Sequence, residues 1–352
     1  MPQDTPPGPE ALIALLDAMP LPAVLIRRDE RIEAANQAAQ TLLGPGIAGR
    51  HFITVLRQPT LLDAIEASLR DAAPRTTRYL TSDGAQDTTF HVHCGPLDLG
   101  SDKAVLVSFQ DITPVETAGQ MRRDFVANVS HELRTPLTAL LGFIETLRGP
   151  ARDDAPARER FLGVMASEAE RMNRLVGDLL SLSRVEGEER VRPTETVDLA
   201  ALLRSCVHGL MPLARAGEVA LSVDLPEGGV SVLGDPDQLQ QVFTNLTENA
   251  IKYGPPGTSV TLSVAEPAYA PELRRLACRV IVRDTGPGID AIHLPRLTER
   301  FYRVDDHRAR AQGGTGLGLA IVKHIVNRHR GRLRIDSTPG QGTVVTVVLP
   351  VG

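Results

Sequence analysis

Between residues 116 and 147 the apolar side chains fall three or four positions apart, at Val126, Val129, Leu133, Leu137, Leu140, Ile144 and Leu147. That period predicts one long amphipathic helix. The stretch RGPARDDAP (148–156) breaks it, and Phe161, Met165, Glu168, Met172, Leu175, Leu179 and Leu182 then repeat the spacing, so the two helices form a hairpin over 116–190. A lone hairpin leaves its stripe open. Pairing two copies about a two-fold axis closes the stripe as a four-helix bundle, which predicts a homodimer. On the N-terminal side, PAVLIRR, FHVHCGPL and KAVLVSFQDI read as strands and AANQAAQTLLG as a short helix stopped by glycine, an α+β domain over 8–115. Beyond the acidic break EGEER (186–190), residues 195–352 mix helices with strands and close on RLRIDSTPGQGTVVTVVLP, two alternating strands joined by a glycine-rich turn. The chain is thus multidomain, with a third, mixed α and β domain at its C-terminal end.

Composition refines this picture in three ways. The 352 residues are 42% hydrophobic and 23% charged, an ordinary globular balance, with aromatics at 3% and no Trp, so the cores are built from aliphatic side chains. A net charge of -5 speaks against nucleic acid as a partner, and basic pieces such as NRHRGRLR (327–334) read as a helix end and a strand surface. Cys94, Cys206 and Cys278 have no CxxC spacing and suit free thiols in a reducing cytoplasm. The best apolar stretch, residues 11–26, is cut by Asp17, Pro20 and Pro22, so neither a signal peptide nor a transmembrane segment is expected.

Within the first long helix, His131 lies two residues from both Val129 and Leu133, about 160° from the apolar stripe, and should face outward. Pro136 lacks the N–H that would bond the Glu132 carbonyl and predicts a kink, a hinge beside the histidine. Glu132 is placed to orient or deprotonate the imidazole, and Thr135, one turn on, shares its face. These residues form SHELRTPL (130–137), which closely resembles the phosphoacceptor box of bacterial sensor histidine kinases. The resemblance implies that His131 accepts the γ-phosphoryl group of ATP, that Glu132 assists as acid and base, and that Thr135 positions water to dephosphorylate a response regulator.

The third domain should then bind ATP. In DQLQQVFTNLTENAIKYG (237–254), Leu239, Val242, Phe243, Leu246 and Ala250 share one helix face, and Asn245, Asn249 and Lys252 form a polar stripe beside it. Amide oxygens one turn apart suit Mg²⁺, and Lys252 offers a point charge to phosphates. In RVIVRDTGPGID (279–290) a strand ends at Asp284, and Gly286 and Gly288 permit positive φ and close approach of a ligand. GGTGLGLAIVKHIVNRHRG (313–331) is a glycine run, with Gly314, Thr315, Gly316, Leu317 and Gly318, opening a helix whose free N–H groups form an anion site, with Gly331 as its C-cap. The dinucleotide pattern GxGxxG fails because residue 319 is Leu319, and there is no GxxxxGK[ST]. The order of boxes resembles the kinase family's α/β-sandwich ATP-binding domain, of the histidine kinase, gyrase and chaperone type. That resemblance implies Asn245 as metal ligand, Tyr253 lining the site, Asp284 accepting from the adenine amino group, and RFYRVDD (300–306) as a lid with Arg303 for the γ-phosphate.

Two rival classes remain. Gyrase- and chaperone-type ATPases place a glutamate one turn before the metal-binding asparagine, and here that position is Gln241. A non-catalytic module with a degenerate ATP domain is the other, and the intact boxes speak against it. Residues 21–44 and 105–113 resemble a PAS sensor domain, with Asp29 ending a strand and Asn36 in the following helix; such pockets hold haem, flavin or nothing. In HVHC (91–94), strand alternation sends His91 and His93 to one face and Cys94 to the other, which disfavours a shared metal. Over nearly the whole chain the resemblance is closest to phosphate-regulon sensor kinases, through DFVANVSHELRTPLT and GFIETL within 124–147. Those sensors are commonly membrane-anchored ahead of the PAS domain, whereas this chain starts almost directly with it. The expectation is therefore a cytoplasmic kinase, peripheral to the inner membrane through a phosphate-transport or adaptor complex, whose signal is phosphate or another cytoplasmic cue and whose partner is a response regulator receiver domain.

Overall fold

Alternation of inward apolar and outward polar side chains builds the first unit of the computed structural model, which describes residues 9–82, 84, 87–98, 103–189, 191–226, 228–304 and 314–351. Gly313 and residues 305–306 of the expected lid lie outside them. Helix α1 (Pro9–Asp17) precedes β1 (Ala23–Arg27) and β2 (Ile32–Ala35), and α2 (Gln37–Leu43), α3 (Phe52–Val55) and α4 (Pro59–Asp71) lead to β3 (Arg75–Ser82), β4 (Asp87–Asp98) and β5 (Lys103–Asp111). The sheet is antiparallel in the order β2-β1-β5-β4-β3. Its core face carries Ile26, Val92, Val107 and Phe109, covered by Phe52, Leu61 and Ile65 from the helices. In β4, His91 and His93 are exposed and Cys94 is buried, and burial pushes the Cys94 thiol up to about 11.

Asn36 is the polar keystone of this unit. It stands just before α2 as its N-cap, so the expectation that it lies within the helix is corrected: its extended backbone lets the side chain bond back to the first turn. Its Oδ1 accepts from Ala39 N at 2.9 Å and Ala23 N at 3.0 Å, and its Nδ2 donates to the carbonyls of Leu21 and Leu16 at 2.8 and 3.0 Å. One amide thus satisfies four backbone groups from three segments, at 1% exposure. Asp29 likewise stands beyond the end of β1, in the turn, where it accepts from Arg31 N.

Helices α5 (Thr113–Arg148) and α6 (Ala155–Glu188) form the hairpin, α6 starting on an Asp154 N-cap with proline in its first turn. α5 is helical without interruption on both sides of Pro136, whose ring is buried. The second helix ends inside the acidic stretch 186–190, within the hairpin bounds read from the sequence. α6 continues to Glu188 because its acidic side chains are matched by cations of the next domain.

That domain runs β6 (Glu195–Asp198), α7 (Leu199–Ala216), β7 (Ala220–Asp224), β8 (Ser231–Gly234), α8 (Pro236–Tyr253), β9 (Ser259–Val264), β10 (Ala268–Ala270), β11 (Arg275–Asp284), α9 (Gly318–Arg328), β12 (Arg332–Thr338) and β13 (Gly342–Pro350). A mixed sheet in the order β12-β13-β11-β9-β7, with β10 on β11, packs against α7, α8 and α9. Of the expected apolar face of α8, Leu239, Val242, Phe243 and Leu246 are buried there and Ala250 is half-buried. The C-terminal stop of α9 differs from expectation: Arg330, not Gly331, takes the left-handed conformation, at φ 55°. Gly331 is needed for space, since a Cβ there would meet the Val348 carbonyl at 2.5 Å.

His329 ties this domain together from a site only 1% exposed. Its Nε2 accepts from Asp235 N at 3.0 Å, and its Nδ1 donates to the Ile325 carbonyl at 2.8 Å, joining the end of α9 to the start of α8. Burial holds its pKa below the ordinary imidazole value. The folded state therefore binds the proton more weakly than the unfolded chain, so this contribution is complete above about pH 6.5 and is lost as pH falls from there toward the lowered folded value. The urea midpoint should fall between about pH 7.5 and pH 5.5, and the fall should shrink in His329→Gln. Asn36→Ala should destabilise the first unit by about 3 kcal/mol, read by urea unfolding, because it strips partners from several buried backbone groups.

Candidate active site

The acceptor face is built on α5. His131 is exposed there, and Thr135 Oγ1 donates to the His131 carbonyl at 3.2 Å, so the two share one helical face. Glu132, the next residue, reaches across to α6. Its Oε2 accepts from Arg171 Nη2 of α6 at 2.9 Å and from Arg303 Nη2 at 3.1 Å, with side-chain exposures of 15%, 14% and 5% for the three residues. Arg303 comes from the segment expected to be the lid, so helix and lid meet on one carboxylate oxygen.

The nucleotide boxes converge in the same unit. Asn245, Asn249 and Lys252 lie along one stripe of α8, as the i, i+4, i+7 spacing requires. Asn245 Nδ2 reaches the Gly318 carbonyl at 3.5 Å, which joins this helix to the start of α9. Lys252 Nζ pairs with Glu248 at 2.6 Å, and Tyr253 is half-exposed at the helix end, its hydroxyl pKa raised by burial and drawn back by the Arg303 charge. Asp284 ends β11, where Oδ1 accepts from Gly286 N at 2.8 Å and Thr343 N at 3.2 Å. Burial raises its pKa against those two bonds, and among the described residues its Oδ2 accepts no hydrogen bond. That oxygen is free to accept from a ligand.

The glycines act differently from expectation in part. Gly288 has φ 69°, but a Cβ there would meet the Thr338 carbonyl at 2.1 Å, so the close approach it permits is to β12. Gly286 has no positive φ; its added Cβ would press on Asp284 Oδ1 at 2.9 Å. Gly316 has φ 72° and accepts from Phe301 N at 2.8 Å, with Phe301 Cα 2.9 Å from where its Cβ would stand. It lets the lid segment lie directly on the glycine box. Gly314 and Gly318 are half-buried, and the Leu317 side chain is fully buried while its N–H donates to Thr315 Oγ1 at 3.3 Å.

Residues along and just beyond α6 bond to the same region, Asp178 and Ser181 having drawn no notice in the sequence and 186–190 having been read only as a break. Asp178 Oδ2 accepts from Thr315 Oγ1 at 2.6 Å, and burial raises its pKa while that bond lowers it. Ser181 Oγ donates to Gln241 Oε1 at 2.9 Å, so the position where hydrolytic relatives carry glutamate is neutral and bonded to the hairpin. Glu186 pairs with Arg300, His324 lies between Glu186 and Glu189 at 3.5 and 3.4 Å, and Glu188 pairs with Arg328 at 3.0 Å. The signal that could have found Asp178 is its place between Leu175 and Leu182, three and four residues away on the buried side of the helix.

The donor set suits a hard cation shared with phosphates: amide oxygens on Asn245 and Asn249 supply neutral ligands, and Mg²⁺ takes few protein ligands when phosphates supply the rest. Among the described residues no three His, Cys, Asp or Glu side chains cluster in a way that would hold a metal alone.

Three families match the chain: histidine kinase-, DNA gyrase B- and HSP90-like ATPases over residues 234–352, the His Kinase A phospho-acceptor domain over 121–188, and the PAS domain over 10–75. The phosphate regulon sensor protein PhoR of Pseudomonas aeruginosa is 37% identical over 345 residues, 96% of this chain and 72% of that protein. The sensor protein kinase WalK of Staphylococcus saprophyticus is 34% identical over 92% of this chain and 52% of its own length. SenX3 of Mycolicibacterium smegmatis, a sensor-like histidine kinase, is 41% identical over 65% of this chain and 57% of its own. Among solved structures, histidine kinase ThkA in complex with the response regulator protein TrrA shares the fold at TM-score 0.52 and 20% identity, over 96% of this chain and 98% of that one.

Proposed function

The chain belongs to the PAS-containing sensor histidine kinases of two-component systems, ATP-dependent protein-histidine kinases, and from that premise we propose that His131 is its phosphoacceptor. The observation that carries this reading is the meeting of the acceptor helix with the nucleotide boxes: Glu132, next to His131, is bonded to Arg303, which lies against the glycine box. Phosphoryl transfer demands mainly that acceptor and phosphates be brought together and their charge be neutralised.

In this reading the nucleotide lies across α8 and the start of α9. Asp284 Oδ2 accepts from the adenine amino group, Gly314, Thr315, Gly316, Leu317 and Gly318 present backbone N–H groups to the phosphates, and Arg303 and Lys252 supply charge. Tyr253 lines the pocket. Mg²⁺ would be held by Asn245, with Asn249 one turn on, and when bound it neutralises phosphate charge. Glu132 takes the imidazole proton as His131 becomes a nucleophile, and Pro136 lets the helix bend as the ATP domain docks. Thr135 positions water for dephosphorylating the regulator.

We read the working protein as a homodimer with its sensor, hairpin and catalytic parts at 8–115, 116–190 and 195–352. Leu137, Leu141 and Ile144 of α5 and Leu162, Val176 and Leu180 of α6 are exposed on a single hairpin, an apolar surface that a second copy would cover. No helix among the described residues is long and apolar enough to cross a membrane. The partner is a response regulator, the class of protein bound to ThkA in its solved complex. Phosphate limitation is the favoured signal, on the similarity to PhoR across most of both chains, with another cue as the alternative given the similarity to WalK and SenX3.

Labelled ATP should place an acid-labile, alkali-stable label on the wild-type chain and none on His131→Gln. ATP hydrolysis without protein labelling would overturn the reading. Thr135→Ala should keep autophosphorylation within about twofold and lose at least about tenfold of regulator dephosphorylation, measured with the purified phosphorylated receiver. A parallel fall in both rates would remove Thr135 from that role.

A further inference from the structure

Glu132 has two arginines on one oxygen, and only one of them belongs to the nucleotide machinery. Arg303 stands in the lid segment, 5% exposed, with its Nε 3.3 Å from where a Gly316 Cβ would be and without a hydrogen-bond acceptor among the described residues. It is a cation packed against the phosphate box and only partly satisfied. Arg171 stands on α6 within the hairpin, 14% exposed, its Nη1 lying 3.6 Å from Glu168 Oε2, so its guanidinium lies between two carboxylates of the helix pair. The hairpin therefore holds Arg171 whatever the lid does.

When a γ-phosphate draws Arg303 away, a carboxylate with 15% exposure would be left without its lid cation. Without Arg171 as well it would be an uncompensated carboxylate, which is costly in such a place and swings toward water, away from His131. We propose that Arg171 is a positioning residue of the phosphoryl-transfer site: it retains Glu132 against the hairpin, beside His131, once nucleotide has claimed Arg303. Two cations on one oxygen then form a hand-over, in which ATP takes the mobile partner and the fixed partner keeps the acid–base group in register. This rests on the acid–base role given to Glu132 above.

The test is steady-state autophosphorylation of the full chain with labelled ATP in a double-mutant cycle. Glu132→Gln alone reads the acid–base assignment and should slow labelling by about 100-fold. Arg171→Gln should lower kcat by about tenfold with the KM for ATP within about twofold, because it misplaces a reacting group without touching the nucleotide. In the Glu132→Gln background it should cost nothing further, a coupling that a general loss of helix stability would not produce. Arg171→Lys, which keeps the charge and loses the forked geometry, should recover part of kcat, and it carries the same cycle if Arg171→Gln melts below the assay temperature. A normal rate in Arg171→Gln, or an equal loss in both backgrounds, overturns the role of Arg171 while leaving that of Glu132 standing. A normal rate in Glu132→Gln removes both.

Discussion

The structure depends on the charge match along one side of α6. Asp178, Glu186, Glu188 and Glu189 face Thr315, Arg300, Arg328 and His324 of the following domain, and the helix that carries them is also half of the hairpin that holds His131. Apart from the three apolar residues α6 buries, Leu175, Leu182 and Val185, this is a polar contact. Polar contacts of partly exposed groups are individually weak and can be exchanged for water or for another anion at small net cost. A phosphotransfer enzyme that must bring its nucleotide domain to the acceptor and take it away again needs a contact of that kind. A dry hydrophobic interface would hold the two parts in one arrangement.

The same logic runs through the site itself. Groups assigned to the nucleotide are engaged by protein carboxylates: Arg303 by Glu132, Thr315 by Asp178 and Lys252 by Glu248. Each carboxylate satisfies a donor that would otherwise be stranded at the edge of a core. Burial raises the pKa of Asp178, the cost of keeping that charge beside Thr315. The backbone beneath is rigid by contrast. Asp235 caps α8 while accepting from Arg328, and His329 bonds back to the same turn, so α8 and α9 keep their spacing whatever the lid and hairpin do.

Much of this was legible in the chain. The hairpin stood out because a heptad-like period sustained over two long segments has few alternatives, and the outward position of His131 followed from its angle to that stripe. The strands over 22–28, 90–97 and 103–112 were readable as runs of branched apolar residues, and they appear as β1, β4 and β5. β3 was not, because Tyr79 is the only large apolar side chain on its inward face and Leu80, its one aliphatic residue, points outward; its strand form follows from pairing with β4 along its whole length. The pairing of the acidic residues in EGEER (186–190) was equally hidden, since a run of like charge reads as a break until its cations arrive from far along the chain.

By itself the sequence determined the local devices: the N-cap aspartates, the apolar stripes, the order of the acceptor, asparagine and glycine boxes, and hence the family. These depend on spacings of at most a few helical turns, which periodicity reports directly. Tertiary structure alone decided which charges meet. That Arg171 and Arg303 share one oxygen of Glu132, that Asp178 takes Thr315, and that Gly288 is a glycine on account of β12 are matters of residues 39 to 171 positions apart, or of a strand returning from another part of the sheet. No local pattern encodes such pairings, because the partners are chosen by packing, and the energy of a buried charge depends on everything brought around it.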